Sequence, residues 1–117
     1  MLKIIEKDNR KIAVLTLTGD PLGEQDAELV REKTRSIVAS NIQHLIFEMS
    51  GVRHINSAGL GGLISAMHTM ARAGGTIQFA AVGTNVHKVF KITRLTEIFN
   101  IKITVEEAVR EWARDKP

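Results

Sequence analysis

Apolar positions recur along this chain at two spacings that alternate. From Ile12 to Leu17 every second residue shares a face, with Ile12, Val14 and Thr16 on one side and Ala13, Leu15 and Leu17 on the other. That period of two predicts a strand over 11–17, preceded by another over 2–6. Asp8-Asn9 between them reads as the turn of an antiparallel hairpin. Over 24–39 the period lengthens to that of a helix. Ala27, Val30, Thr34, Ile37 and Val38 fall on one stripe, and Glu24, Asp26 and Glu28 suit the positive end of the helix dipole. Thr18-Gly19-Asp20-Pro21-Leu22-Gly23 joins the two patterns and is a loop by its glycines and proline.

The alternation continues. His44-Leu45-Ile46-Phe47-Glu48-Met49 is mostly apolar, as a central strand must be when both its faces are covered. Leu60, Leu63, Ile64, Met67, Met70 and Ala71 recur at helical spacing, which predicts a helix over 58–73 ended by Gly74-Gly75. A strand over 76–82 follows, then a short helix over 84–92 with Val86, Val89 and Phe90 as its buried stripe. Ile101-Lys102-Ile103 reads as a short strand. Thr104 then caps a last helix, with Glu107 three residues on as in a capping box. Val105, Ala108, Val109 and Trp112 give that helix its apolar face. The expected architecture is α/β: a mixed sheet of four to five strands with about four helices packed mainly on one face, its central strands parallel through crossover connections.

Length and composition narrow the function. A chain of 117 residues with 44% apolar content supports one core, hence one domain over 1–117. There are no cysteines, which excludes disulfides and thiolate metal sites. Charges interrupt the apolar run at the N-terminus, and no stretch approaches the roughly 18 apolar residues of a membrane span. The compartment expected is the cytoplasm. The sequence pI of about 9.5 invites a nucleic-acid reading. However, 16 basic residues are dispersed among 13 acidic ones, and four Phe and one Trp offer little for base stacking, so no nucleic-acid partner is expected. His44, His54, His68 and His87 form no close metal-binding pair and are expected on the surface or partly packed. Neither a P-loop nor a Gly-x-Ser-x-Gly elbow is present, and no nucleophile–base spacing stands out. No metal, no cofactor and no catalytic activity are expected of the chain itself.

The informative segment lies between the third strand and the second long helix: Arg53-His54-Ile55-Asn56-Ser57-Ala58-Gly59-Leu60-Gly61-Gly62. Asn56 or Ser57 suits an N-cap. The first-turn amides of a helix are unpaired and favour an anion. Three glycines in the first turns each cost about 1 kcal/mol of helix stability relative to alanine, which calls for close backbone approach, within the domain or against a partner. The residues alone leave two readings open: a plain cap whose glycines pack on the sheet, or a serine hydroxyl presented at an anion-favouring helix end.

Asn56-Ser57-Ala58-Gly59-Leu60-Gly61 resembles the Asp-Ser-Ser/Thr/Ala-Gly-Leu-Gly signature of STAS-domain anti-sigma factor antagonists. The resemblance extends over essentially the whole chain. Leu15-Thr16-Leu17-Thr18-Gly19-Asp20 is similar to the end of the family's second strand. Gly74-Gly75-Thr76-Ile77-Gln78-Phe79 is similar to its glycine-pair strand entry, and Val86 to Leu95 to the segment around its third helix. The resemblance implies a bacterial protein-binding switch. In that family the motif serine, here Ser57, is phosphorylated by an anti-sigma factor serine kinase of GHKL type, with a serine phosphatase as the further partner implied. The unphosphorylated protein binds the kinase and so releases a sigma factor. The implied partner-binding residues are Asn56, Ser57, Ala58, Gly59 and Leu60, with Asp20, Leu22 and Gly23 from the loop after the second strand. The expected oligomeric state is a monomer or weak dimer. Two departures stand out: Asn56 replaces the family's aspartate, and Leu22-Gly23 stands where a second acid is usual. The alternative implied by the resemblance is an accessory or scaffold module of a transport or signalling complex without phospho-switching.

Overall fold

The computed structural model describes residues 1–114; the last three residues of the expected domain, including Pro117, lie outside the described residues. The elements are β1 (Leu2–Lys7), β2 (Arg10–Gly19), α1 (Glu24–Ala39), β3 (His44–Val52), α2 (Ser57–Arg72), β4 (Thr76–Ala80), α3 (Thr84–Ile92), a 3₁₀ turn (Leu95–Glu97), β5 (Ile101–Lys102) and α4 (Val105–Arg114). They build one five-stranded sheet in the order β1-β2-β3-β4-β5. Only β1–β2 is antiparallel; β2–β3, β3–β4 and β4–β5 are parallel. The hairpin closes at Asp8 and Asn9, both at positive φ (55° and 64°), where Asp and Asn are tolerated and where the turn twist matches that of the strands.

The period-two reading of β2 sorts its side chains onto two cores. Ala13, Leu15 and Leu17 join Leu45, Phe47, Met49 and Phe79 beneath α1, α2 and α3. Ile12 and Val14 point the other way, with Ile46 and Ala80, and are covered by Ala108 and Trp112 of α4. Three helices on one face and one on the other is the expected arrangement. Thr104 Oγ1 accepts the Glu107 amide at 3.0 Å, so the expected cap of α4 is in place.

Several boundaries and one stripe differ from the periodicity. β2 and β3 extend to Gly19 and Val52, because pairing resumes as Thr18–Gly51 and Gly19–Val52 after a register shift between Thr16 and Thr18. β4 stops at Ala80, where Ala81 takes φ 57°. β5 is only two residues, and Ile103 is exposed. Ala71, expected on the buried side of α2, is exposed; the buried positions are Gly59, Gly62, Leu63, Ala66 and Met70. Small residues rotate the stripe, since α1 crosses α2 so closely that a Cβ on Gly62 would lie 2.7 Å from Ala27 Cβ. A search for large apolar side chains underweights such positions. His44 is buried rather than superficial: its ring nitrogens contact Thr76 Oγ1 and Gln78 Oε1, each at 2.6 Å, and its ring stacks on Trp112 at 4.8 Å.

Candidate functional site

The segments singled out in the sequence meet at the C-terminal ends of β2 and β3. The loop after β2 runs beside the loop after β3 as a continuation of the sheet. Arg53 N donates to Gly19 O at 2.9 Å, Leu22 N to His54 O at 2.8 Å, and Asn56 N to Leu22 O at 3.2 Å. Leu22 and Ile55 thus form an isolated parallel bridge, with the Asp20–Pro21 peptide cis just before it. Leu22 is buried at 1% exposure, so the connection is tied to the core and not draped over it.

Asn56 stops the extended run and starts α2. Its backbone is extended (φ −101°, ψ 178°), its Oδ1 accepts the Gly59 amide at 3.0 Å, and its carbonyl accepts the Leu60 amide at 2.9 Å. This is an asparagine N-cap, and it needs no carboxylate. Ser57 is the first residue of the helix and is exposed. With the Gly59 amide used by the cap, the amides of Ser57 and Ala58 have no partner among the described residues. The serine hydroxyl therefore sits at a helix end whose free donors and dipole favour an anion.

Gly59 faces inward. A Cβ there would stand 2.1 Å from the Leu22 carbonyl oxygen and 2.8 Å from its carbon, so only glycine lets α2 begin against the β2 loop. A Cβ on Gly61 would meet nothing within 4 Å. The expected set of contact residues therefore divides. Asp20, Asn56 and Ser57 are exposed, and Ala58 and Leu60 are half-buried. Leu22, Gly23 and Gly59 are buried, which corrects their expected place on a docking surface. Leu22 and Gly59 pack against each other, and Gly23 is the N-cap of α1, its amide donating to Asp26 Oδ2 at 2.8 Å. The close approach that the glycines called for is, at Gly59, an approach of this domain to itself.

One group at the site was not legible in the sequence. His54 Nδ1 lies 2.5 Å from Asp20 Oδ1, and His54 Nε2 lies 3.4 Å from Asn85 Nδ2 at the start of α3. The hydrogen bond from His54, aided by the charges of His54 and Arg53, holds the Asp20 carboxyl below its ordinary range. Asp20, His54 and Asn85 lie more than thirty positions apart in pairs, so no local spacing announces them. They join two loops and the first turn of α3 at one end of the sheet. Among the described residues no group of three or more His, Cys, Asp or Glu is placed to hold a metal ion, and no helix is long and apolar enough to cross a membrane.

The family model for the STAS domain matches residues 3–108. Among solved structures the fold is similar to that of TM1081 from Thermotoga maritima, with a TM-score of 0.80 and 22% identity over 99% of this chain and 90% of that one. It is also similar to the Bacillus cell fate determinant SpoIIAA in its phosphorylated form, with a TM-score of 0.69 and 20% identity over 95% of this chain and 98% of that one. SpoIIAA is an anti-sigma factor antagonist. A third similar structure is the murine anion transporter Slc26a9, with a TM-score of 0.69 and 21% identity over 89% of this chain but 18% of that one. At these identities the likeness carries the fold.

Proposed function

This chain belongs to the STAS domain family, and from that premise we propose that it is an anti-sigma factor antagonist controlled at Ser57, working as one domain over 1–117. The observation that carries the proposal is the exposed Ser57 at the head of α2, with two free amides beside it and a cap that leaves its hydroxyl outside the hydrogen-bond network. In this reading the partner is an anti-sigma factor serine kinase of GHKL type. The unphosphorylated chain binds it, and a sigma factor is released. The kinase then transfers the γ-phosphoryl group of ATP to Ser57: the Oγ–P bond forms, the bond to ADP breaks, and the hydroxyl proton leaves to a base on the kinase. A serine phosphatase restores the hydroxyl. The chain is substrate and ligand in this cycle and supplies no catalytic group.

A phosphate at Ser57 adds about 1.5 to 2 negative charges. The helix end tolerates them within the domain. The cost falls on the interface, where a hydrated dianion must be desolvated; about 3–4 kcal/mol there weakens binding several-hundredfold. Asn56 in place of a carboxylate removes a charge that would repel this phosphate. The test is titration of the kinase with parent, Ser57→Ala and Ser57→Asp chains. Parent and Ser57→Ala should bind alike and Ser57→Asp weakly. Equal binding by all three rejects the switch. The likeness to Slc26a9 supports the second reading, a module of a transport assembly without phospho-switching, for which Ser57 variants would be silent.

A further inference from the structure

The stripe of α3 that starts at the site is basic and open. Asn85, which touches His54, is followed at helical spacing by Lys88, then by Lys91 and Ile92, all on one side. Val86 and Phe90, on the other side, are buried in the main core. Lys88 and Lys91 are exposed and enter no ion pair among the described residues, and Ile92 is 81% exposed at the end of the stripe. Thr84 to Arg94 contains no acidic residue. The nearby charges that are spoken for are Asp20 with His54 and Arg94 with Glu97 at 3.0 Å. Seven residues of helix extend this surface by about 10 Å from the Asn85 contact. Such a surface, two free cations around one bare aliphatic side chain, continues directly from the loop that carries Ser57.

We infer that the partner's docking surface runs from the Ser57 loop along Asn85, Lys88, Lys91 and Ile92 of α3, and that the protein docking there presents carboxylates around an apolar socket for Ile92. The inference rests on the reading of the chain as a partner-binding switch and gives that partner its chemistry. A protein fits better than a nucleic acid. The free charge is small, no aromatic side chain lies on the stripe for base stacking, and its most exposed member is an isoleucine. Cations at the rim of an interface act mainly on encounter, whereas a buried aliphatic anchor acts on dissociation.

The experiment uses the full chain and the GHKL-type serine kinase recovered with it from its own cells, purified, with rates measured by surface plasmon resonance at low and high salt. Lys88→Glu/Lys91→Glu should slow association about 10- to 100-fold and abolish its salt dependence. Ile92→Ala should speed dissociation about 10-fold while leaving association near the parent's. All variants change exposed side chains, and unchanged melting temperatures confirm their folding. Parent-like rates in both variants, with Ser57→Asp still weakened, overturn this inference and leave the switch standing. Weak binding by the α3 variants with a silent Ser57→Asp supports the surface and rejects the switch. Failure of the parent to bind the kinase overturns both. A 20-base-pair DNA duplex is the control: tight binding by the parent that the charge reversals abolish would assign the stripe to nucleic acid and overturn the protein partner.

Discussion

Replacing Gly59 by alanine puts a methyl group 2.1 Å from the Leu22 carbonyl oxygen, far inside contact distance, and the atom it meets is backbone. The Leu22 peptide cannot swing away freely, because its amide bonds His54 O at 2.8 Å and its carbonyl accepts the Asn56 amide at 3.2 Å. Overpacking of a tight contact costs about 1–3 kcal/mol. Losing two hydrogen bonds adds about 1 kcal/mol each. The better helix propensity of alanine returns about 1 kcal/mol. The net is a destabilisation of about 2–4 kcal/mol, or about 6–15 °C in Tm for a domain of this length. At Gly61, where an added methyl meets nothing within 4 Å, only the propensity acts. Gly61→Ala should therefore stabilise the fold by about 0.5–1 kcal/mol. Urea unfolding followed by Trp112 fluorescence reads both variants, with an unchanged m-value showing that the same surface is exposed. Gly59→Ala as stable as the parent, or the two substitutions shifting stability in the same direction, would refute the packing argument for this motif.

Other expectations follow from the same geometry. Asn56→Ala removes the acceptor of the Gly59 amide and should cost about 1 kcal/mol in denaturant unfolding, whereas Asn56→Asp keeps the cap and should be neutral or stabilising. Trp112→Ala strips the cover from the second core and should cost about 3–5 kcal/mol. Trp112→Phe should cost far less, because the indole N–H has no partner among the described residues, and calorimetric melting separates the two. The Asp20 carboxyl lies below its ordinary value chiefly through the His54 hydrogen bond, so its contribution to stability is present above the unfolded value near about pH 4 and is lost as pH falls through the lowered value. The stability difference between parent and Asp20→Asn should thus shrink as pH falls below about 4.

The elements were legible wherever a period was sustained. α1 and α3 begin and end where their spacing predicts, and the two faces of β2 sort as read. What escaped has two physical sources. Small residues carry packing that hydrophobicity does not register, so Gly59, Gly62 and Ala66 joined Leu63 and Met70 on the buried face of α2 while Ala71 was left outside. Long-range pairing is invisible to local pattern. The bridge between Leu22 and Ile55 pulled Leu22 and Gly23 into the interior, and the contacts of His54 with Asp20 and Asn85 join two loops and the start of α3, which no spacing relates. The site itself was legible where one loop holds it all: Asn56 caps, Ser57 is open, and the helix begins between them as the residue types require.

Control at Ser57 requires that this serine receives phosphate and that the fold carries it without rearranging. Incubating the chain with ATP and the GHKL-type serine kinase proposed as its partner, then locating the phosphate by mass spectrometry, tests this. The melting temperature is then compared before and after. One phosphate is expected, on Ser57 and absent from Ser57→Ala, with a melting temperature unchanged or raised because the charge sits at the positive end of α2. Phosphate on another residue, or none under conditions where the kinase binds the chain, would contradict it.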